Sequence, residues 1–289
     1  MTRIRGGTRF AAILAGLSCL LTLTACAPAP VTSPSASASG KPTGHNLATV
    51  TPGKLTIATG DPAYAPWVIA DDPASGKGFE PAVSYAVAKK LGFAAADVVW
   101  VRTSFDAAIA PGPKNWDLNI QQLSVTAERK QAVDFSSPYY TTTQAILARA
   151  GSPAIGAKSV ADLADVQFGA PVGTTSLTAL VNIVKPNNDP KVFNNLEDAT
   201  EALRNRQVEA IIADLPQALY ICSAEVKGSV VVGQLDSKAG GDSFAYVLPK
   251  GSPLTAVVSA ALDELRADKT LAKITAEWLS DSISVPVLK

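Results

Sequence analysis

Ser124, Thr126 and Arg129 combine residue types that can hold an anion. They lie in the stretch Asp117 to Tyr140, D-L-N-I-Q-Q-L-S-V-T-A-E-R-K-Q-A-V-D-F-S-S-P-Y-Y. Leu118, Ile120 and Leu123 carry the apolar part of a strand. Thr126 fits a helix N-cap, because its hydroxyl can accept from amides of the following turn. Arg129 then falls in the first helical turn, where free amides already make the potential positive. An arginine there is unfavourable unless an anion is near, and its planar fork suits a carboxylate or phosphate. An anion seat is one reading. The other is a surface ion pair with Glu128, Asp134 or another acid, and Arg129 taken alone favours that pairing.

Two further loops bear on the choice. Gly173-Thr174-Thr175-Ser176 is a second strand-to-helix turn with hydroxyls and free amides, and so a second anion contact. It lacks the glycine-lysine pair of a phosphate loop. Asp214 ends the apolar strand A-I-I-A and precedes Leu215-Pro216. A carboxylate beside a buried run needs a cation or strong donors; an N-cap role is the competing reading. Together the loops match a zwitterion, with an amino acid's carboxylate on Arg129 and Thr175 and its ammonium on Asp214. Tyr64, Trp67 and Phe105 are core residues or the wall of a side-chain pocket. Proline-rich surroundings favour the wall for Tyr64 and Trp67.

Catalytic alternatives are weak. The single histidine, His45, lies in the N-terminal tail, so Ser-His-Asp and Cys-His systems are absent from the folded part. A histidine-bearing zinc site goes with them, and one thiol, Cys222, makes no thiolate cluster. No metal and no cofactor is expected. Asp61 and Glu80 could act as a carboxylate pair, but nothing in their setting demands it.

Strand and helix patterns alternate from Leu55 to Leu279, which predicts an α/β fold with mainly parallel sheets flanked by helices. Such sheets bind ligands at the carboxyl ends of their strands. Asp61, Ser124 to Arg129, Gly173 to Ser176 and Asp214 all fall at predicted strand ends.

The front of the chain is not fold. Arg3, Arg5 and Arg9 precede the apolar run Phe10 to Leu23, and Leu23-Thr24-Ala25-Cys26 follows. This predicts a lipoprotein signal over residues 1–25, with lipidation at Cys26. A membrane-spanning helix is the competing reading, and the apolar run is short for it. Residues 26–51 are rich in Pro, Ser, Ala, Gly and Thr and read as a disordered tether. The chain holds 25 basic and 25 acidic residues, and removing the three signal arginines leaves 22 basic. That balance gives no case for nucleic acid. The three cysteines, Cys19, Cys26 and Cys222, leave no intramolecular disulfide to the mature protein. Stability must come from the core.

Several segments resemble the extracytoplasmic solute-binding proteins of polar amino acid ABC importers. The most specific is L-S-V-T-A-E-R-K-Q-A-V-D-F-S-S-P-Y-Y. L-T-I-A-T-G-D-P-A-Y-A-P-W, G-F-E-P-A-V-S-Y-A-V-A-K-K-L-G, V-G-T-T-S and E-A-I-I-A-D-L-P support it in order. The resemblance implies a two-lobed type II periplasmic-binding fold with two hinge crossovers. Lobe 1 would take residues 52–141 and 244–289, and lobe 2 residues 142–243. It implies a monomeric, lipid-tethered receptor that binds a free amino acid and hands it to a permease. Arg129, with the amides of Ser124 and Thr175, would hold the ligand carboxylate. Asp214, the Ser124 hydroxyl and a carbonyl near Gln122 would hold the ammonium. Asp61, Tyr64, Trp67 and Phe105 would face the side chain. Gln121 and Gln122 replace small residues of the family, Glu80 replaces an aspartate, and Pro81 follows it. These departures leave arginine, lysine, histidine, glutamine and glutamate open. A lyase or dehydratase using Glu80 or Asp61, and a sensor acting through a partner, are the alternatives.

Overall fold

The structure is a computed structural model that describes residues 46–236, 241–279 and 285–289. The expected signal, Cys26, His45 and most of the tether lie outside the described residues. Among the described residues no helix is long and apolar enough to cross a membrane.

Two sheets share one long strand. In the first, β1 (Leu55–Thr59) runs parallel to β2 (Val98–Arg102) and to β3 (Leu118–Asn119). All five β1 residues are buried, as a strand covered on both faces requires. The shared strand β4 (Val133–Ala148) pairs antiparallel with β9 (Gly241–Pro249) from Val133 opposite Pro249 to Thr143 opposite Gly241. From Gln144 onward β4 belongs to the second sheet. There it pairs antiparallel with β7 (Ala210–Asp214) and with β8 (Val230–Leu235). Parallel to β7 lies β5 (Phe168–Pro171), and parallel to β5 lies β6 (Lys191–Phe193). The result is a two-lobed, mixed α/β fold whose antiparallel pairs fall on the crossover strands.

The cores follow the sheets. Leu55, Ile57, Trp67, Phe79, Phe244 and Tyr246 pack in one cluster with α1 (Phe79–Lys90) and the helices Leu254–Ala267 and Thr270–Trp278. Ile146, Phe168, Leu180, Ile212 and Leu288 form another over the second sheet.

Residues 133–148 form one continuous strand. Pro138 is accommodated because the pairing with β9 changes register on both sides of it. The helical segment after Gly173 is α-helical only over α4 (Thr175–Ala179). It then widens so that the Lys185 amide donates to the Leu180 carbonyl, five residues back, at 2.8 Å. Pro186 keeps Lys185 out of the helical region, and Lys185 ends the segment at φ 52°. Lastly, lobe 1 was expected to run to Lys289. The tail instead turns onto the second sheet as β10 (Val287–Leu288), parallel to β8. Leu288 is buried in the second core, where no alternation signal in two residues could announce it.

Candidate functional site

The loop after β1 is held open by a basic residue. At the end of β2, Arg102 donates to the Gly60 carbonyl at 2.6 Å and to Asp71 at 2.7 Å. Asp71 also accepts from the Ala63 amide at 2.8 Å. These bonds fix the turn that carries Asp61 and Tyr64. Gly60 admits no larger residue without movement, since a Cβ there would stand 2.9 Å from the Pro62 carbonyl oxygen.

Arg129 opens the one-turn helix α3 (Arg129–Ala132). The Thr126 hydroxyl accepts from its amide at 3.1 Å, so Thr126 performs the capping expected of it. The guanidinium is buried. It donates to the Ser124 carbonyl at 2.8 Å and to the Gly173 carbonyl at 3.0 Å, and it lies 5.2 Å from the centre of the Phe105 ring. Among the described residues it has no ion-pair partner. Asp134, one partner considered from sequence, pairs with Lys250 at 3.1 Å. Burial lowers the basicity of Arg129, and the charges of Asp242, Glu128 and Asp214 oppose that.

On the other side, Thr174 caps α4. Its hydroxyl accepts from the Leu177 amide at 3.1 Å and donates to the Pro171 carbonyl at 2.8 Å. Gly173 takes the left-handed conformation at φ 71°, which turns its carbonyl to Arg129. The Thr175 hydroxyl lies 3.3 Å from that of Ser124. Asp214 begins α6 (Leu215–Tyr220) but makes no side-chain cap bond, so the capping reading fails. Its carboxylate instead accepts from Gln144 at 2.8 Å. Burial, then the charge of Asp242, push the Asp214 carboxyl well above the usual range.

These groups surround one cavity of about 300 Å³, at the small end of the range for ligand pockets. Its wall includes Asp61, Tyr64, Trp67, Phe105, Gln122, Ser124, Arg129, Thr174, Thr175, Ser176 and Asp214. Thr126, expected among the ligand-binding residues, does not reach it. Its oxygen is turned to the Arg129 amide, which makes it a support and not a wall. Trp67 touches the cavity while its ring packs edge-on to Phe79, Tyr140 and Phe244. It is both wall and core. Tyr64 donates to Glu197 at 3.4 Å, and burial with the Glu197 charge pushes its phenol up.

Glu80 is fully buried and does not line the cavity. It accepts from the Gln122 amide at 2.8 Å, from the Gln122 side chain at 2.6 Å and from Tyr139 at 2.6 Å. Those bonds hold Gln122 at φ 51°. Burial pushes the Glu80 carboxyl up to about 7, against the pull of these donors. The residue builds the wall from behind, and the acid/base pair with Asp61 is not assembled.

Sequence reasoning missed Asp106, Gln217, Gln144 and Asp242. Asp106 and Gln217 line the cavity. Gln144 and Asp242 lie behind it, on β4 and β9. Gln144 is the one long polar residue in T-T-T-Q-A-I-L-A, and that was the available signal.

The fold and this cleft define a type II periplasmic binding protein. Residues 55–281 match bacterial extracellular solute-binding proteins, family 3, and the chain belongs to that family. It is 31% identical over 219 residues to a probable histidine-binding protein of Campylobacter jejuni, covering 74% of this chain and 81% of the relative. An L-arginine-binding protein of Pseudomonas aeruginosa is 26% identical, with 75% and 85% covered. Among solved structures, an ancestral arginine-binding protein bound to arginine superposes with a TM-score of 0.65 at 30% identity, covering 78% of this chain and 97% of that one. An ancestral amino acid-binding protein described as a precursor of cyclohexadienyl dehydratase gives the same TM-score at 29% identity, covering 78% and 95%.

Proposed function

We propose that this chain binds one amino acid between its lobes and passes it to an ABC importer permease at the outer face of the cytoplasmic membrane. One observation carries the reading. A buried guanidinium with no ion-pair partner among the described residues, Arg129, and a carboxylate, Asp214, line the same cavity of about 300 Å³. Arg129 takes the ligand carboxylate together with the amides of Ser124 and Thr175. Asp214 takes the ammonium, with the Ser124 hydroxyl and the backbone near Gln122.

The ligand proposed is a basic amino acid, with L-arginine first. Asp61 and Asp106 both line the cavity, and neither has an ion-pair partner among the described residues. Tyr64, Trp67 and Phe105 add aromatic faces that suit a flat cation. The names of the histidine- and arginine-binding relatives support the same class.

Lobe 1 comprises residues 52–141 and 244–279 in this reading, and lobe 2 residues 142–243 with the tail 285–289. Cys26 carries a lipid that holds the monomeric receptor at the membrane. A thermal-shift screen of the twenty amino acids tests the ligand claim. Basic amino acids should raise the melting temperature most, and a response to none of the twenty would refute it. For the anchor, the full chain should enter the detergent phase on partitioning, and Cys26→Ser should stay in the aqueous phase. A wild-type protein that also stays in the aqueous phase would sink that part.

A further inference from the structure

A single buried amide separates two carboxylates where the lobes join. Gln144 is 1% exposed and Asp242 is 9% exposed. The Ser176 hydroxyl donates to Gln144 Oε1 at 2.6 Å, which fixes the orientation of the amide. Its nitrogen then faces Asp242 Oδ2 at 2.5 Å and Asp214 Oδ1 at 2.8 Å. Both hydrogens of one NH2 group are thus given to acids. That geometry brings the two accepting oxygens to roughly 4–5 Å of each other.

The surroundings offer little to neutralise the pair. Thr175, from α4, donates to Asp242 Oδ2 at 3.1 Å and is neutral. The Ser124 hydroxyl, from the first lobe, meets that of Thr175 and is neutral. Arg129 is the facing cation, with Glu128 beside it, and its guanidinium already donates to two carbonyls. Two like charges at this range, away from water, favour holding one proton between them.

We propose that Asp242 is a positioning residue that makes a proton-holding pair with Asp214 through Gln144, and that an arriving ammonium group displaces that proton. The proposal rests on the amino acid reading above. The step is an exchange: one carboxyl O–H bond breaks, its proton goes to bulk solvent, and the ligand N–H donors take its place at Asp214. The raised Asp214 carboxyl agrees with a proton held in the empty site. Asp242 does not line the cavity, so it acts through Gln144 and Thr175 and not by touching the ligand.

The test is calorimetry near neutrality with L-arginine and L-glutamine, run in phosphate and in imidazole buffer. Neither ligand titrates there, so any proton exchanged comes from the protein. Wild type should release a large fraction of one proton per ligand, seen as a buffer-dependent heat, and its affinity should fall as pH falls. Asp242→Asn should release clearly less proton per ligand than wild type and show a shallower pH dependence; Asp242→Glu should restore both. Binding by wild type without a buffer-dependent heat would overturn the proton exchange and leave the amino acid reading standing. Equal release by Asp242→Asn would remove Asp242 from it. No binding of either ligand would overturn both readings.

Discussion

Arg129 is a buried cation at the wall of the cavity. Its bonds to the Ser124 and Gly173 carbonyls hold the fork in place, and no acid neutralises it among the described residues. A hydrogen bond to a charged group contributes about 1.5–3 kcal/mol. Arg129→Ala should therefore weaken ligand binding by about 10- to 100-fold or more. Arg129→Lys should recover only part of this, because an ammonium cannot make the two-point contact. Calorimetric titration of both variants checks the order. Glu80 gives a second prediction. Its carboxyl lies near 7 in the folded protein against an ordinary 4.5, so the native state binds more protons than the unfolded state between those values. Stability from this group is thus full below 4.5, is lost as pH rises through 7, and is flat beyond. The loss is on the order of 3 kcal/mol. Glu80→Gln should flatten that slope in urea unfolding measured across the window. An identical slope in both proteins would contradict the assignment.

Among elements, α4 matters most to the site because its cap and its first two residues have separate tasks. Thr174 caps it, Thr175 faces Ser124 and Asp242, and Ser176 orients Gln144. Losing a cap costs about 1 kcal/mol. Thr174→Ala should lower stability by about that much and also weaken ligand binding, since Thr175 would lose its register. Urea unfolding and titration of the same variant separate the two effects. The site loops were legible in sequence because each needs short polar residues at the end of an apolar strand. Asp61, Ser124, Arg129, Thr175 and Asp214 could be found that way. Gln144 and Asp242 could not. They meet only because β4 leaves one sheet for the other at Gln144, beside the start of β9, and local pattern carries no such long-range pairing. Strand β10 was hidden for the same reason. The continuous β4 was masked by Pro138, which reads as a break unless the bulges around it are known.

Among the described residues, few bonds cross the cleft between the two lobes. Arg129 reaches Gly173, Ser124 meets Thr175, Tyr64 reaches Glu197, and Gln217 donates to the Ala65 carbonyl at 3.2 Å. All are polar, and the apolar clusters divide between the two sheets. Bound ligand adds contacts to both sides, so it should stabilise the folded protein by about 4 kcal/mol at a thousandfold excess over Kd. A ligand-induced rise in the urea midpoint at unchanged slope checks this. Titration of the purified protein with L-arginine is the direct test that the charged cleft holds one amino acid: one molecule should bind per chain, with a micromolar or tighter Kd that Arg129→Ala abolishes or greatly weakens. Binding that Arg129→Ala leaves unchanged, or no binding of any amino acid, would contradict it.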